Sequence, residues 1–231
     1  MKNLVQWLKY NGNAANTGGI ANRSRKERAK FFELFFLQTF SEQVSSNERV
    51  RILDVGGEYR YWQIIEFKYT ENVEIDLANL KPVVLPEGIS NFSSITTDAT
   101  NLSGILDKTY DLVFSNSCIE HVGRVREWKM MAEEIKRVGK HMFLQTPNIF
   151  FPIEPHYMFP YFQFLPLKMR AFLINHYQLG FWPKGKNWEE SLKIADEIHL
   201  LNYKNLKELF SEAKIKRERL LGLTKSFMVY Y

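Results

Sequence analysis

Apolar residues occur along the chain as five short runs separated by longer stretches with a helical or loop-like pattern. The runs lie at residues 50–55, 73–75, 92–95, 111–114 and 142–144. Short buried runs that alternate with helices are typical of parallel strands joined by crossover connections. The pattern therefore predicts an α/β fold built on a doubly wound, mostly parallel sheet.

Helical periodicity marks segments on both sides of these runs. A first helix is predicted to begin near Ser24, with apolar residues at steps of three and four: Ala29, Phe32, Phe35, Phe36 and Phe40. Residues 124–138 and 203–213 predict two further helices. The last two runs, residues 215–221 and 224–231, join around Gly222 and predict a closing antiparallel hairpin.

Residues 147–200 break the alternation, because prolines are interleaved there with many aromatic residues. A segment this long and this aromatic is more typical of a lid or a pocket wall than of a linker. We expect residues 149–182 to cover a substrate pocket and to be more mobile without ligand.

Composition places limits on the class of protein. The 231 residues, 45% hydrophobic and 15% aromatic, suit one domain with a sizeable core. The single cysteine, Cys118, excludes an intramolecular disulfide and favours a reducing compartment, so we expect a soluble, cytoplasmic protein. The sequence contains no apolar stretch long enough to predict a transmembrane segment.

The net charge of +5 comes largely from two groups of basic residues, at 23–30 and 214–219. We interpret them as a solvated helix face and a charged edge strand. A nucleic-acid or anionic membrane surface is the alternative.

The predicted strand ends carry the candidate chemistry. The first strand runs into Gly56 and Gly57, which allow a ligand to approach the backbone closely. Asp76, which we place at the end of the second strand, suits the two hydroxyls of a ribose. Asp98 after the third strand suits an adenine amine, and the fourth strand ends in small polar residues.

These segments resemble the class I S-adenosylmethionine-dependent methyltransferases, and within them the subgroup with a Glu-His pair after the fourth strand. The resemblance covers about residues 48–148. It rests on the motifs Leu53-Asp54-Val55-Gly56-Gly57, Asp76-Leu77, Asp98-Ala99, the run 111–116, Ile119-Glu120-His121-Val122 and Gln145-Thr146-Pro147-Asn148.

The resemblance implies a Rossmann-like seven-stranded sheet with a C-terminal antiparallel hairpin, and S-adenosylmethionine as cofactor. It implies three sets of cofactor-binding residues: Asp54, Gly56, Gly57, Ser115 and Asn116 around the methionine part, Asp76 with Leu77 at the ribose, and Asp98 with Ala99 at the adenine. Glu58 stands where the family usually has glycine, so the glycine loop departs from the pattern.

On this basis we divide a single methyltransferase domain, residues 1–231, into four parts. Residues 1–47 form an N-terminal arm and helix, 48–148 the cofactor-binding core, 149–200 a substrate lid insertion, and 201–231 a closing helix and hairpin.

Two histidines are candidates for the general base that a hydroxyl acceptor requires. His156 lies in the proline-bounded segment 152–157, and His121 follows the fourth strand directly. We favour His156, because it follows the fifth strand and is placed to reach the acceptor. A hydrogen-bonded structural histidine is the alternative for each.

We assign no metal site from the sequence, although two carboxylates and two imidazoles, in Glu120, His121, Glu154 and His156, could converge on a metal. Some methyltransferases with a Glu-His pair at this place bind a divalent metal with a second glutamate one turn earlier. That position is Ser117 here.

The expected activity is O-methylation of a small molecule or a glycan-type metabolite, with a small-molecule acceptor as the partner and nucleic acid not expected. An RNA or protein methyltransferase is the alternative enzyme, and a non-catalytic S-adenosylmethionine-binding scaffold is the alternative outside catalysis.

Overall fold

The strands form one seven-stranded sheet that confirms the predicted α/β fold. A computed structural model describes residues 20–180 and 182–231. The strands of the sheet are β1 (Val50–Val55), β2 (Val73–Asn79), β3 (Phe92–Thr96), β4 (Tyr110–Asn116), β5 (Gly139–Pro147), β8 (Lys214–Leu220) and β9 (Leu223–Tyr230). Their order is β3-β2-β1-β4-β5-β9-β8, with β1 to β5 parallel and β9 antiparallel to both of its neighbours.

Helices cover both faces of the sheet. One face carries α1 (Ile20–Ser45) and α2 (Tyr59–Ile65), and the other carries α3 (Val125–Val138) and α6 (Tyr203–Leu209). Central strands buried on both faces read as continuous apolar runs, which explains why the sequence shows them so clearly. The predicted last helix is shorter than expected, because the backbone leaves the helical region at Phe210.

Helix α1 is fastened to the sheet by aromatic residues. The ring of Phe32 contacts those of Trp62, Phe114 and Phe143, with centroids 4.9 to 5.9 Å apart. The helix has a kink at Phe40, where φ is −122°. This packing holds the first half of α1 beside the carboxyl ends of β1 and β4.

The aromatic insertion after β5 folds around its own small core. It contains the hairpin of β6 (Ile153–Glu154) and β7 (Phe159–Pro160), followed by α4 (Leu167–His176) and α5 (Trp188–Ala195). The buried side chains of this insertion form a separate apolar cluster, with Tyr157, Phe162, Ala171, Ile174, Ala195, Ile198 and Leu200. In the described ranges, no helix is long and apolar enough to cross a membrane.

Candidate functional site

The turn after β1 has room for a backbone but not for side chains. Gly56 has φ +77°, and a Cβ there would lie 2.6 Å from Sγ of Cys118. A Cβ on Gly57 would lie 2.1 Å from Oδ2 of Asp54. Both positions therefore require glycine, which keeps the floor of the neighbouring cleft open to a ligand.

Two adjoining cavities flank this turn at the carboxyl edge of the sheet. One has a volume of about 390 Å³ and the other about 730 Å³, a size range typical of small-molecule sites. Both are lined by Gly56, Gly57, Glu58 and Arg60. They therefore form one cleft that crosses the glycine turn at the topological switch point between β1 and β4.

The smaller cavity is lined by groups of both charges. Asp54 accepts a hydrogen bond from Trp62 Nε1 at 2.7 Å, and burial raises the pKa of its carboxyl to about 7. Its other oxygen, and Oδ1 of Asn116, are buried and have no hydrogen-bond partner among the residues that the structure describes. Arg25 of α1 lines the same cavity, and its pKa is lowered by burial and by the charge of Arg28.

The larger cavity is lined by polar groups from three further strand ends. Asp98 and Ala99 follow β3, Asn79 ends β2, and His121 lies after β4. One oxygen of Asp98 accepts hydrogen bonds from the backbone and hydroxyl of Thr100, at 2.8 Å each. Asn79 donates to the carbonyl of Gly57 at 2.7 Å, so it links the end of β2 to the glycine turn.

The prediction that Asp76 ends the second strand is wrong. Strand β2 continues to Asn79, and Asp76 pairs with Leu53 and Ser93 inside the sheet. Its carboxylate accepts hydrogen bonds from Ser93 and from Tyr110, the latter at 2.6 Å. Asp76 lines neither of the two cavities, because the strand carries the chain three residues further before it reaches the edge.

Two other expected cofactor contacts lie behind the cleft. Leu77 is fully buried in the apolar core under α1 and α2. Ser115 is 1% exposed and donates to the carbonyl of Val55 at 3.0 Å, so it supports the glycine turn from the neighbouring strand. Neither residue lines the two cavities.

Several residues that line the cleft were not predicted from the sequence, among them Arg25, Arg60, Tyr61 and Asn79. Asn79 could have been found by extending β2, since Leu77 and Ala78 continue its apolar run. Arg25 was interpreted as part of a solvated basic face, and nothing local to α1 signals that this residue meets β1 and β4.

Behind the larger cavity, a cluster of side chains joins the Glu-His pair to the insertion. Ligand-type atoms of Glu120, His121 and His156 lie within 4.8 Å of one another. The rings of His121 and His156 meet edge to face, with centroids 5.0 Å apart. The backbone amide of His199, at the end of the insertion, donates to the carbonyl of Glu120 at 2.8 Å.

The two histidines of this cluster are in different electrostatic states. Burial opposes a charge on His156, but its hydrogen bond to Glu154 and the charges of Glu154, Glu120 and Glu197 outweigh burial and raise its pKa. Burial, assisted by the charge of His156, lowers the pKa of His121 to about 4. His156 is thus the better proton acceptor of the two.

Cys118 lies against the glycine turn but is not a candidate nucleophile. Burial raises the pKa of its thiol to about 12, so it stays protonated near neutral pH.

The expected role of residues 149–182 as a mobile lid stays a prediction.

Comparisons with known proteins show only distant similarity and name no family for this chain. No family model matches the sequence. An uncharacterised protein of Mycobacterium tuberculosis, found in two strains, is 26% identical over 97 residues, which cover 42% of this chain and 29% of that protein.

Some solved methyltransferase structures are distantly similar to this chain. A SAM-dependent methyltransferase of Methanosarcina mazei is 14% identical, with a TM-score of 0.44 over 79% of this chain and 92% of that one. Magnesium protoporphyrin IX methyltransferase of Synechocystis, solved with SAH bound, is 9% identical, with a TM-score of 0.48 over 90% of this chain and 82% of that one. At these identities and TM-scores the likeness assigns neither an activity nor a substrate to this chain.

Proposed function

We propose that this protein is an S-adenosylmethionine-dependent methyltransferase that methylates a hydroxyl group of a small molecule. The observation that carries the proposal is the cleft across the glycine turn. One end of the cleft has a carboxylate and a guanidinium, and the other end has polar side chains that suit a ribose and an adenine. The sequence motifs that lead into this cleft support the same cofactor.

The smaller cavity fits the amino-acid end of the cofactor. The ammonium group of the cofactor needs an anion and a hydrogen-bond acceptor. Asp54 and Asn116 each offer a buried oxygen without a partner in the described part of the chain. Its carboxylate needs a cation, which Arg25 offers from α1. Glu58, at the family's glycine position, lines both cavities and adds negative charge beside the ammonium site.

The larger cavity fits the nucleoside end. Asn79 lies at the end of β2, where a ribose would cross the strand ends, and takes the place that we first gave to Asp76. Asp98 keeps one carboxylate oxygen that Thr100 does not occupy, and this oxygen suits the adenine amine. Ala99 lines the cavity next to Asp98, and its small side chain suits a neighbouring adenine ring.

The bound cofactor supplies a methyl group on a positively charged sulfur. An acceptor oxygen forms a bond to that carbon while the carbon–sulfur bond breaks and its electron pair stays on sulfur. The residues of this chain align the two partners and remove the hydroxyl proton. In the metal-free protein we assign that proton to Nε2 of His156, because Glu154 occupies Nδ1 and stabilises the imidazolium that forms.

The basic residues favour a small acceptor over a nucleic acid. Arg28 of the first basic group pairs with Glu218 at 3.1 Å, and Arg25 lines the cleft. In the second group, Arg217 stacks over the ring of Tyr203 and Lys216 over that of Phe31. Part of the positive charge in the two groups therefore has a partner within the fold.

The test compares two nucleosides by calorimetry. S-adenosylhomocysteine carries the amino-acid end, and 5′-methylthioadenosine lacks it. We expect both to bind the wild-type protein, and we expect Arg25→Ala to weaken S-adenosylhomocysteine about tenfold or more, since a hydrogen bond to a charged group contributes roughly 1.5–3 kcal/mol. The same variant should bind 5′-methylthioadenosine normally.

Arg23→Ala is the matched control, because Arg23 is exposed on the same helix and lines neither cavity. If neither nucleoside binds the wild-type protein, the cofactor assignment is contradicted. Binding without methyl transfer from labelled S-adenosylmethionine to any member of a panel of hydroxylated acceptors would favour the scaffold alternative.

A further inference from the structure

The cluster behind the larger cavity combines one carboxylate and two imidazoles. Glu120, His121 and His156 each offer one ligand atom, and these atoms lie within 4.8 Å of one another. Glu120 is 0% exposed, and its Oε1 has no hydrogen-bond partner among the residues in the described ranges. A buried carboxylate oxygen without a partner is costly, and a cation held between these groups would remove that cost.

Each of the three proposed ligand side chains has a carboxylate or a hydroxyl group of another residue close to it. Glu154 lies 2.7 Å from Nδ1 of His156, and Thr146 donates to Oε2 of Glu120 at 2.9 Å. Glu197 lies 3.9 Å from Nδ1 of His121. Metal-binding histidines typically donate their second nitrogen to a carboxylate, which fixes the ring and the tautomer. Glu154 gives this support to His156, and Glu197 stands on the corresponding side of His121.

We propose that Glu120, His121 and His156 bind a divalent transition-metal cation of the zinc type, with an open coordination position toward the larger cavity. Two nitrogen ligands and one oxygen suit Zn²⁺ or Co²⁺, whereas Mg²⁺ and Ca²⁺ prefer oxygen ligands alone. Three protein ligands leave a position for an oxygen of water or of an acceptor. His121 lines the cavity, so the site adjoins the cleft.

Ser117, one turn before Glu120, is directed to another partner. Its hydroxyl donates to Oε1 of Gln145 at 2.9 Å, across to β5. The third ligand comes instead from the insertion, as His156 in the turn between β6 and β7. The site therefore depends on two parts of the chain that only the tertiary fold brings together.

The role of this cation in catalysis rests on the proposed methyltransferase function. In the loaded protein, Nε2 of His156 would be a ligand rather than a proton acceptor. An acceptor hydroxyl on the open position would have a lower pKa, so its proton would pass to solvent water before its oxygen forms the bond to the methyl carbon.

The experiment measures metal binding directly, on protein freed of any affinity tag and stripped with a chelator. We expect calorimetry to show one equivalent of Zn²⁺ bound, and Co²⁺ to give visible absorption bands of a low-coordinate site. Mg²⁺ at about 1 mM should not displace either cation, given its preference for oxygen ligands.

Four variants locate the site. Glu120→Gln removes the negative charge of one ligand and His156→Ala removes another ligand, and each should weaken Zn²⁺ binding about a hundredfold or more. Glu154→Gln, at a positioning residue, should weaken it by roughly 10–100-fold. Glu120→Gln keeps the size of the buried side chain, so it should remain folded. His176→Ala is the control, because His176 is exposed at the end of α4, and it should bind Zn²⁺ as the wild type does.

Zn²⁺ binding that is absent, or that is unchanged in Glu120→Gln and His156→Ala, would overturn the proposal. Because S-adenosylhomocysteine binding is measured separately, the two proposals can fail independently. A protein that binds Zn²⁺ but no nucleoside would keep the metal site and lose the methyltransferase function.

Discussion

Nδ1 of His156 lies 2.7 Å from Oε1 of Glu154, and the Glu154 side chain is only 1% exposed. The second oxygen of Glu154 accepts from the backbone amide of Tyr157 at 2.7 Å, so both carboxylate oxygens are held. This geometry holds the imidazole in one direction and leaves Nε2 as its reactive atom.

The first prediction concerns His156 in the absence of metal. In chelator-treated protein, we expect His156→Ala to lower the rate of methyl transfer about a hundredfold or more, the typical contribution of a general base. The affinity for S-adenosylhomocysteine should change little, because His156 lines neither cavity. His176→Ala is the control. A fully active His156→Ala variant would move the role to His121 or show that no base is needed.

The second prediction is a pH dependence of cofactor binding through Asp54. Because burial raises the pKa of this carboxyl to about 7, it is protonated below that pH and loses its attraction for an ammonium group. We expect S-adenosylhomocysteine to bind up to about tenfold more weakly per pH unit below that pKa, and calorimetry from about pH 5.5 to about pH 8.5 would measure it.

Two comparisons isolate this effect. The affinity for 5′-methylthioadenosine should stay flat with pH, since it has no ammonium group, and Asp54→Asn should remove the dependence for S-adenosylhomocysteine. The raised pKa also means that the contribution of Asp54 to folding stability is fully present below pH about 4 and is lost as the pH rises through about 7. A pH-independent affinity in the wild type would contradict the assignment of Asp54 to the ammonium group.

The third prediction separates Asn79 from Asp76. We expect Asn79→Ala to weaken 5′-methylthioadenosine and S-adenosylhomocysteine alike, by about three- to tenfold for a lost neutral hydrogen bond of roughly 1 kcal/mol. Asp76→Asn should act mainly on stability, since the carboxylate bonds Ser93 and Tyr110 inside the sheet. Calorimetry and urea denaturation of both variants test this. The reverse outcome would restore Asp76 as the ribose contact.

The fourth prediction concerns the attachment of α1 by a mostly buried ion cluster. Glu218 of β8 lies 3.1 Å from Arg28 and 3.6 Å from Lys225, and its side chain is 11% exposed. Burial raises the pKa of Glu218, but the charges of Arg28 and Lys225 outweigh it and lower the pKa overall. Stability from this group is therefore present above its unfolded pKa and is lost as the pH falls through the lowered, folded-state pKa.

We expect Glu218→Gln to lower the free energy of unfolding by about 2–4 kcal/mol at neutral pH, because it leaves two cations without their shared anion. Glu27→Gln is the control, since its ion pair with Lys30 is exposed and should contribute about 0.5 kcal/mol or less. Urea denaturation measures both. Equal effects of the two substitutions would show that the cluster does not fasten α1.

The sequence by itself determined the seven strands of the main sheet, the helices α1, α3 and α6, and the position of the glycine turn. Buried parallel strands and an amphipathic helix such as α3 leave a local periodicity that does not depend on distant residues. Gly56 and Gly57 were predictable for the same reason, because a strand that ends in a glycine turn is a local feature. Four further residues that were predicted from the same strand ends line the cleft: Asp54, Asn116, Asp98 and Ala99.

Only the tertiary structure decided which side chains meet. Strand β2 runs on to Asn79 because its pairing with β3 extends to Thr96, and this places Asp76 inside the sheet. Arg25 reaches the cleft because Phe32 anchors α1 on the sheet, and His156 reaches Glu120 because the insertion folds around its own apolar cluster. Such contacts depend on packing between segments far apart in the chain, and no local pattern of apolar and polar residues encodes them.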